Sequence, residues 1–204
     1  MIEVYADIWC PFTHVGLRTV VRRRTELGRG DLAIRVRSWP LELVNGAPMD
    51  VESTAAHIAE LREQVAPDLF SGFDPRTFPR TTLPALGLAA QAYKEDGETG
   101  EAVSLALRDA LFEEGRDISR PDVLAELARA HGIERGDLAE ASDVATEWHE
   151  GEARGVRGSP HFFCGSHDAF CPSLVIERGP DGTVHLERNV EALDAFLQIC
   201  FAES

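Results

Sequence analysis

The chain has 204 residues, 44% of them hydrophobic, enough to bury a full core as one domain or as one domain carrying an insertion. Basic residues number 20 against 35 acidic, a net charge of −15, which argues against a nucleic-acid backbone or an anionic membrane surface as partner. Met1 leads directly into a strand pattern with no basic start, apolar stretch or small-residue cleavage site, and no apolar run reaches spanning length, so a cytoplasmic protein is expected.

The elements fall in three blocks. Ile2, Val4, Ala6 and Ile8 alternate as a strand. A helix follows over about 11–27 and ends at Gly28, with Pro11 in its first turn and Arg22, Arg23 and Arg24 complementing its dipole. Leu32, Ile34 and Val36, alternating with Arg35 and Arg37, form a second strand, and together these read as a βαβ unit. After Trp39-Pro40 the pattern is helical only, from about Ser53 to Arg154, punctuated by Pro67, Asp74-Pro75 and Gly97. Ser119, Pro121 and Asp122 start one of these helices, which runs through Val123, Leu124, Leu127 and Ala128 to Gly132. Strands return at Pro160 to Cys164, Leu174 to Glu177 and Thr183 to Leu186, the last two joined by a Gly179-Pro180-Asp181-Gly182 turn. A final helix capped by Asn189 buries Val190, Leu193, Phe196, Leu197, Cys200 and Phe201.

Cys10 stands where the first strand gives way to the first helix. Unpaired N–H groups and the positive end of the macrodipole stabilise a thiolate there, so the thiol is expected to titrate below an ordinary cysteine. The competing reading is a cysteine that merely begins a helix. A redox Cys-x-x-Cys pair would have its second cysteine at position 13. Thr13 stands there instead, so no local disulfide can close, and Thr13 is left as a hydrogen-bond donor to the sulfur. His14 has two readings: a cation that lowers the thiol pKa, or a solvated helix residue.

Four cysteines in a chain of this length are too few for a disulfide framework. His161, Cys164, His167 and Cys171 have a spacing that suits tetrahedral zinc. Strand alternation nevertheless points His161 and Cys164 to opposite faces, and no metal is assigned. A hairpin turning over Gly165 to Ala169 would set Cys164 across from Cys171. Either is then a candidate resolving thiol for Cys10, Cys171 the better placed, unless both are simply packed. Cys200, on the apolar face of the last helix, reads as core.

Four segments in order carry a resemblance. They are Asp7-Ile8-Trp9-Cys10-Pro11-Phe12 with Gly16, Trp39-Pro40-Leu41-Glu42-Leu43, Ala110-Leu111-Phe112 with Gly115-Arg116-Asp117-Ile118-Ser119, and Gly155-Val156-Arg157-Gly158-Ser159-Pro160. The chain resembles the DsbA family in its cytoplasmic branch, alongside FrnE-type oxidoreductases, 2-hydroxychromene-2-carboxylate isomerases and kappa-class glutathione transferases. The resemblance implies an α/β thioredoxin-like fold, residues 1–45 and 155–204, with an inserted all-helical domain, residues 46–154. It implies a cis peptide at Pro160 beside the nucleophile, where a proline opening a strand leaves the Ser159 backbone free to hold an extended ligand. Ser159 replaces the family's more usual valine or threonine.

The candidate catalytic set is Cys10, Thr13, which departs from the family pattern, and His14, and the candidate substrate surface is Trp9, Phe12, Trp39, Ser159 and Pro160 beside the Phe78 to Thr82 segment. Three functions follow. The leading one is a thiol oxidoreductase using Cys10 alone or with a distant thiol, acting on a small thiol or a protein disulfide. The second is a thiol-dependent isomerase or transferase of a small aromatic molecule, although those branches carry serine where this chain has Cys10. The third is a redox-inactive protein binding a peptide or metabolite. No tightly bound cofactor is expected beyond a low-molecular-weight thiol such as glutathione, and a homodimer is compatible with all three.

Overall fold

A computed structural model describes residues 1–133, 141–180 and 183–202. Strand β1 (Ile2–Ala6) leads to helix α1 (Pro11–Glu26), which stops before Gly28 in left-handed backbone (φ 67°) and returns as β2 (Ile34–Ser38). β1 and β2 pair in parallel, Ile2 opposite Ile34 and Ala6 opposite Ser38, so the βαβ unit is present. Among the described residues six α-helices follow: α2 (Leu41–Val44), α3 (Val51–Gln64), α4 (Leu83–Glu95), α5 (Gly97–Phe112), α6 (Pro121–Ala130) and α7 (Ala141–Arg154). The Asp50 and Asp96 carboxylates cap α3 and α5 by accepting the Ser53 and Thr99 N–H groups at 2.7 and 2.8 Å. The chain then forms β3 (His161–Cys164), β4 (His167–Phe170), β5 (Leu174–Arg178), β6 (Val184–Arg188) and α8 (Val190–Ala202), with the Asn189 side chain capping α8 at Ala192 N–H. The Asp181-Gly182 half of the expected turn lies outside the described residues.

The main sheet has the order β2-β1-β3-β4, with β3 antiparallel to both neighbours. Alternation divides its side chains. Val4, Val36, Phe162 and Cys164 face α1 and α8, where Leu17, Val20, Leu193, Phe196 and Cys200 complete one core cluster. Tyr5 and Phe163 face the other way, with Trp39 and against Trp148 of α7. A third and larger cluster holds the helical segment together and takes in Trp9 and Val15 from the start of α1.

One feature differs from the sequence reading. β4 occupies residues expected to be a turn, because the β3–β4 loop is only Gly165-Ser166, with Gly165 in left-handed backbone (φ 56°). β5 and β6 do not extend the main sheet. They form a separate antiparallel ribbon on α3, where the Gln64 amide brackets β6 by donating to the Val184 carbonyl and accepting the Leu186 N–H.

Candidate active site

Cys10 is the N-cap of α1 with Pro11 at the first helical position. Its carbonyl accepts the Thr13 and His14 N–H groups at 3.1 and 3.2 Å. The Ser159–Pro160 peptide is cis, and the Cys10 thiol donates to the Ser159 carbonyl at 3.2 Å. The Ser159 hydroxyl oxygen in turn accepts the Asp7 N–H at 2.9 Å and lies 2.8 Å from the Thr13 hydroxyl. Two segments about 150 residues apart are thus joined at one point, through Asp7, Cys10 and Thr13 on one side and Ser159 on the other. The loop is held from behind as well. The Arg157 N–H donates to His161 Nδ1 at 3.1 Å, which leaves Nε2 to donate to Asp168 at 2.8 Å.

The Cys10 residue is only 4% exposed, and burial pushes its thiol up from the ordinary value. The Thr13 hydroxyl and N–H and the Ser159 contact favour the thiolate without prevailing, while the charge of Asp7 adds to the rise. The expectation of a depressed thiol is therefore corrected: the helix terminus is where the sequence put it, but the loss of water around the sulfur outweighs it.

His14 also differs from both of its readings. It is buried, packed on Phe70 and Phe112 with ring centroids 5.3 and 5.0 Å away, and its Nε2 lies 2.7 Å from Glu113 Oε1. Burial lowers its pKa despite the carboxylate, so His14 is the neutral donor of this bond and brings no cation to Cys10. Glu113 stays ionised, at about 2, against the burial that would raise it. Besides His14, the Phe70 and Ser71 N–H groups donate to it at 2.8 and 3.0 Å.

Two charged residues to which the sequence reading gave no role lie beneath the nucleophile. Asp7 is fully buried. Its carboxylate accepts the Ile8 N–H at 2.6 Å, the Leu41 N–H at 2.6 Å and the Thr82 hydroxyl at 2.8 Å. Burial raises it to about 6 in spite of these bonds. Arg108, 1% exposed on α5, donates to the Ser104 carbonyl and hydroxyl and, at 3.1 Å, to the Asp7 carbonyl. Burial lowers it to about 10, with the neighbouring Asp7 opposing the shift. A sequence signal for Arg108 exists: it is the cation on a helical face otherwise made of Val103, Leu107 and Leu111.

The expected substrate surface divides. Trp9 is fully buried and stacks on Phe78 with centroids 5.9 Å apart, and Phe12, half-buried, meets His57 at 5.3 Å. Trp39 is not with them. It belongs to the cluster of Tyr5 and Phe163, against Gly151 of α7, where a Cβ would come within 2.8 Å of the indole. Gly151 is what lets α7 close over it.

The four-residue His/Cys cluster does not converge. Cys164 pairs across the sheet with His167 and packs toward α8, His161 bonds Asp168, and Cys171 belongs to the large core cluster that also holds Trp9 and Val15. The expected opposition of Cys164 and Cys171 is corrected by the short loop, since Cys171 falls opposite Pro160, whose carbonyl accepts its N–H at 3.1 Å. Among the described residues no three His, Cys, Asp or Glu side chains are grouped to hold a metal ion, and no helix is long and apolar enough to cross a membrane.

Comparison with known proteins adds three findings. A family model described as a DsbA-like thioredoxin domain matches residues 1–177. The solved cytosolic disulfide reductase DsbM from Pseudomonas aeruginosa superposes with a TM-score of 0.65 at 17% identity, covering 100% of this chain and 99% of that one; its complex with GSH gives 0.63 at 16% over 98% of each. A 2-hydroxychromene-2-carboxylate isomerase superposes with a TM-score of 0.59 at 16% identity, over 83% of this chain and 87% of that one. A comparison with curated protein sequences gives no match.

Proposed function

Since the chain belongs to the DsbA-like thioredoxin domain family, we propose that it is a thiol–disulfide oxidoreductase whose nucleophile is Cys10. The observation that carries this reading is the Cys10 thiol at the start of α1, bonded to the carbonyl that precedes cis Pro160. A cysteine so held lies against the Ser159–Pro160 loop that leads into β3, and an extended disulfide is received along that loop. The Cys10 thiol gives up its proton, the thiolate attacks one sulfur of R–S–S–R′, the S–S bond breaks, and R′–S⁻ leaves and takes up that proton. Thr13 cannot close the cycle, because a hydroxyl does not displace a thiolate from sulfur. A low-molecular-weight thiol of the glutathione class therefore serves as reductant, in the cytoplasm. The DsbM complex with GSH and its description as cytosolic support this reading. The net charge of −15 supports a small thiol or protein disulfide, rather than nucleic acid or membrane, as the partner.

The test is turnover of a small disulfide with glutathione as reductant. Cys10→Ser is expected to reduce the rate to the uncatalysed level, with Cys164→Ser and Cys200→Ser unchanged; full activity in Cys10→Ser would overturn the reading. The second reading, a thiol-dependent isomerase, draws on the aromatic wall of Trp9, Phe78 and Phe73. It expects the opposite outcome for Cys10→Ser, namely retained glutathione-dependent conversion of an aromatic substrate.

A further inference from the structure

Cys171 is unusual in three independent respects. It immediately follows β4 and pairs by backbone with Pro160, so it stands one strand away from the residue whose neighbour holds the Cys10 sulfur. Its backbone is left-handed (φ 47°), a conformation that a cysteine adopts at a cost of about 1 kcal/mol or more and that is found where surrounding structure imposes it. Its side chain belongs to the large core cluster that also holds Ile8, Trp9 and Val15, and not to the α8 core that takes Cys164. Burial, with the nearby Cys10 a lesser cause, raises the Cys171 thiol to about 12.

Resting on the reading of Cys10 as nucleophile, we propose that Cys171 is the resolving thiol of this protein, replacing the cysteine that Thr13 denies it. In the mixed disulfide Cys10–S–S–R, the Cys171 sulfur attacks the Cys10 sulfur. The Cys10–S–S–Cys171 bond forms, the bond to R breaks, and R–S⁻ takes the proton given up by Cys171. The net change is reduction of R–S–S–R′ to two thiols and oxidation of two protein thiols to one disulfide. Two equivalents of a glutathione-class thiol restore the dithiol and become the thiol's own disulfide. A buried thiol with so high a pKa supplies little thiolate, which makes this step slow and able to limit turnover.

The experiment uses the whole protein, reduced, exposed to glutathione disulfide, quenched with an alkylating agent and read by intact mass and a non-reducing peptide map. Wild type is expected to lose two free thiols without gaining mass and to give a linked Cys10 and Cys171 peptide. Cys171→Ser and Cys171→Ala are expected to trap glutathione on Cys10, with an adduct lifetime at least about tenfold longer than in wild type. Equal adduct levels on Cys10 in wild type and both variants would overturn the proposal while leaving Cys10 as nucleophile. No modification of Cys10 in any of them would overturn both.

Discussion

The hydroxyls of Thr13 and Ser159 lie 2.8 Å apart, so the residue in the resolving position of the motif is joined to the loop that precedes cis Pro160. Thr13 is also fully buried, and its N–H donates to the Cys10 carbonyl at 3.1 Å. Its part in the site is to fix the distance between α1 and the loop, and to favour what thiolate there is.

Thr13→Cys should restore a local dithiol. The new sulfur sits one helical turn from Cys10, so mild oxidation is expected to join Cys10 to the introduced cysteine in a disulfide, and dithiol-dependent reductase activity to rise several-fold. Loss of the bond to Ser159 should lower stability by about 1 kcal/mol. Free-thiol counting before and after oxidation checks the first; a denaturant titration checks the second.

Alkylation of Cys10 should be slow at neutral pH. With its thiol raised by burial, the thiolate fraction at pH 7 is below that of an ordinary cysteine, and the rate should climb about tenfold per pH unit through the whole of pH 7–9 without levelling off. Site-resolved mass spectrometry after timed iodoacetamide exposure measures it, and a plateau below pH 8 would contradict the burial argument.

Asp7 should make stability depend on pH. Its folded value of about 6 lies above the ordinary 3.8, so its contribution is fully present below 3.8 and is lost as pH rises through 6, by about 3 kcal/mol in all. The buried His14 and His161, both lowered, work in the opposite direction, losing stability as pH falls, so the wild-type curve alone does not isolate Asp7. Asp7→Asn does. The variant loses the bond from Leu41 N–H but carries no charge, so wild type is expected to be the more stable at pH 4.5, with the gap closing or reversing by pH 7.5. Thermal melts of both proteins across that range give the answer.

Arg108→Ala should be the most damaging of these substitutions. It leaves the Asp7 carbonyl and the Ser104 hydroxyl without the guanidinium donor and removes the cation nearest to a buried carboxylate, at about 3 to 5 kcal/mol. Arg108→Lys, whose single ammonium cannot span Ser104 and Asp7 together, should recover only part of this. Chemical denaturation ranks the three proteins.

Local chemistry settled much of this protein in advance. Period-two alternation at Ile2, Val4 and Ala6, the proline at the start of α1, the glycine after it and the asparagine before α8 each act over a few residues, and each element formed where those signals lie. The same reach explains why Cys10 was legible as a helix-start thiol, whereas its place beside Pro160 was implied only by the family resemblance. Burial and long-range pairing act between segments that are far apart in the chain, and only the tertiary structure decided them. It took water from the Cys10 sulfur and reversed the expected shift of its pKa. It also drew His14 to Glu113 99 residues away, set Arg108 under Asp7 101 residues away, and sent Trp39 to α7. A two-residue loop at Gly165 set the β3–β4 register and thereby separated two cysteines that sequence spacing had paired, leaving Cys164 in the α8 core and Cys171 beside Pro160. In a strand the side-chain period is two, so a change in loop length alters which residues oppose each other and which face each presents.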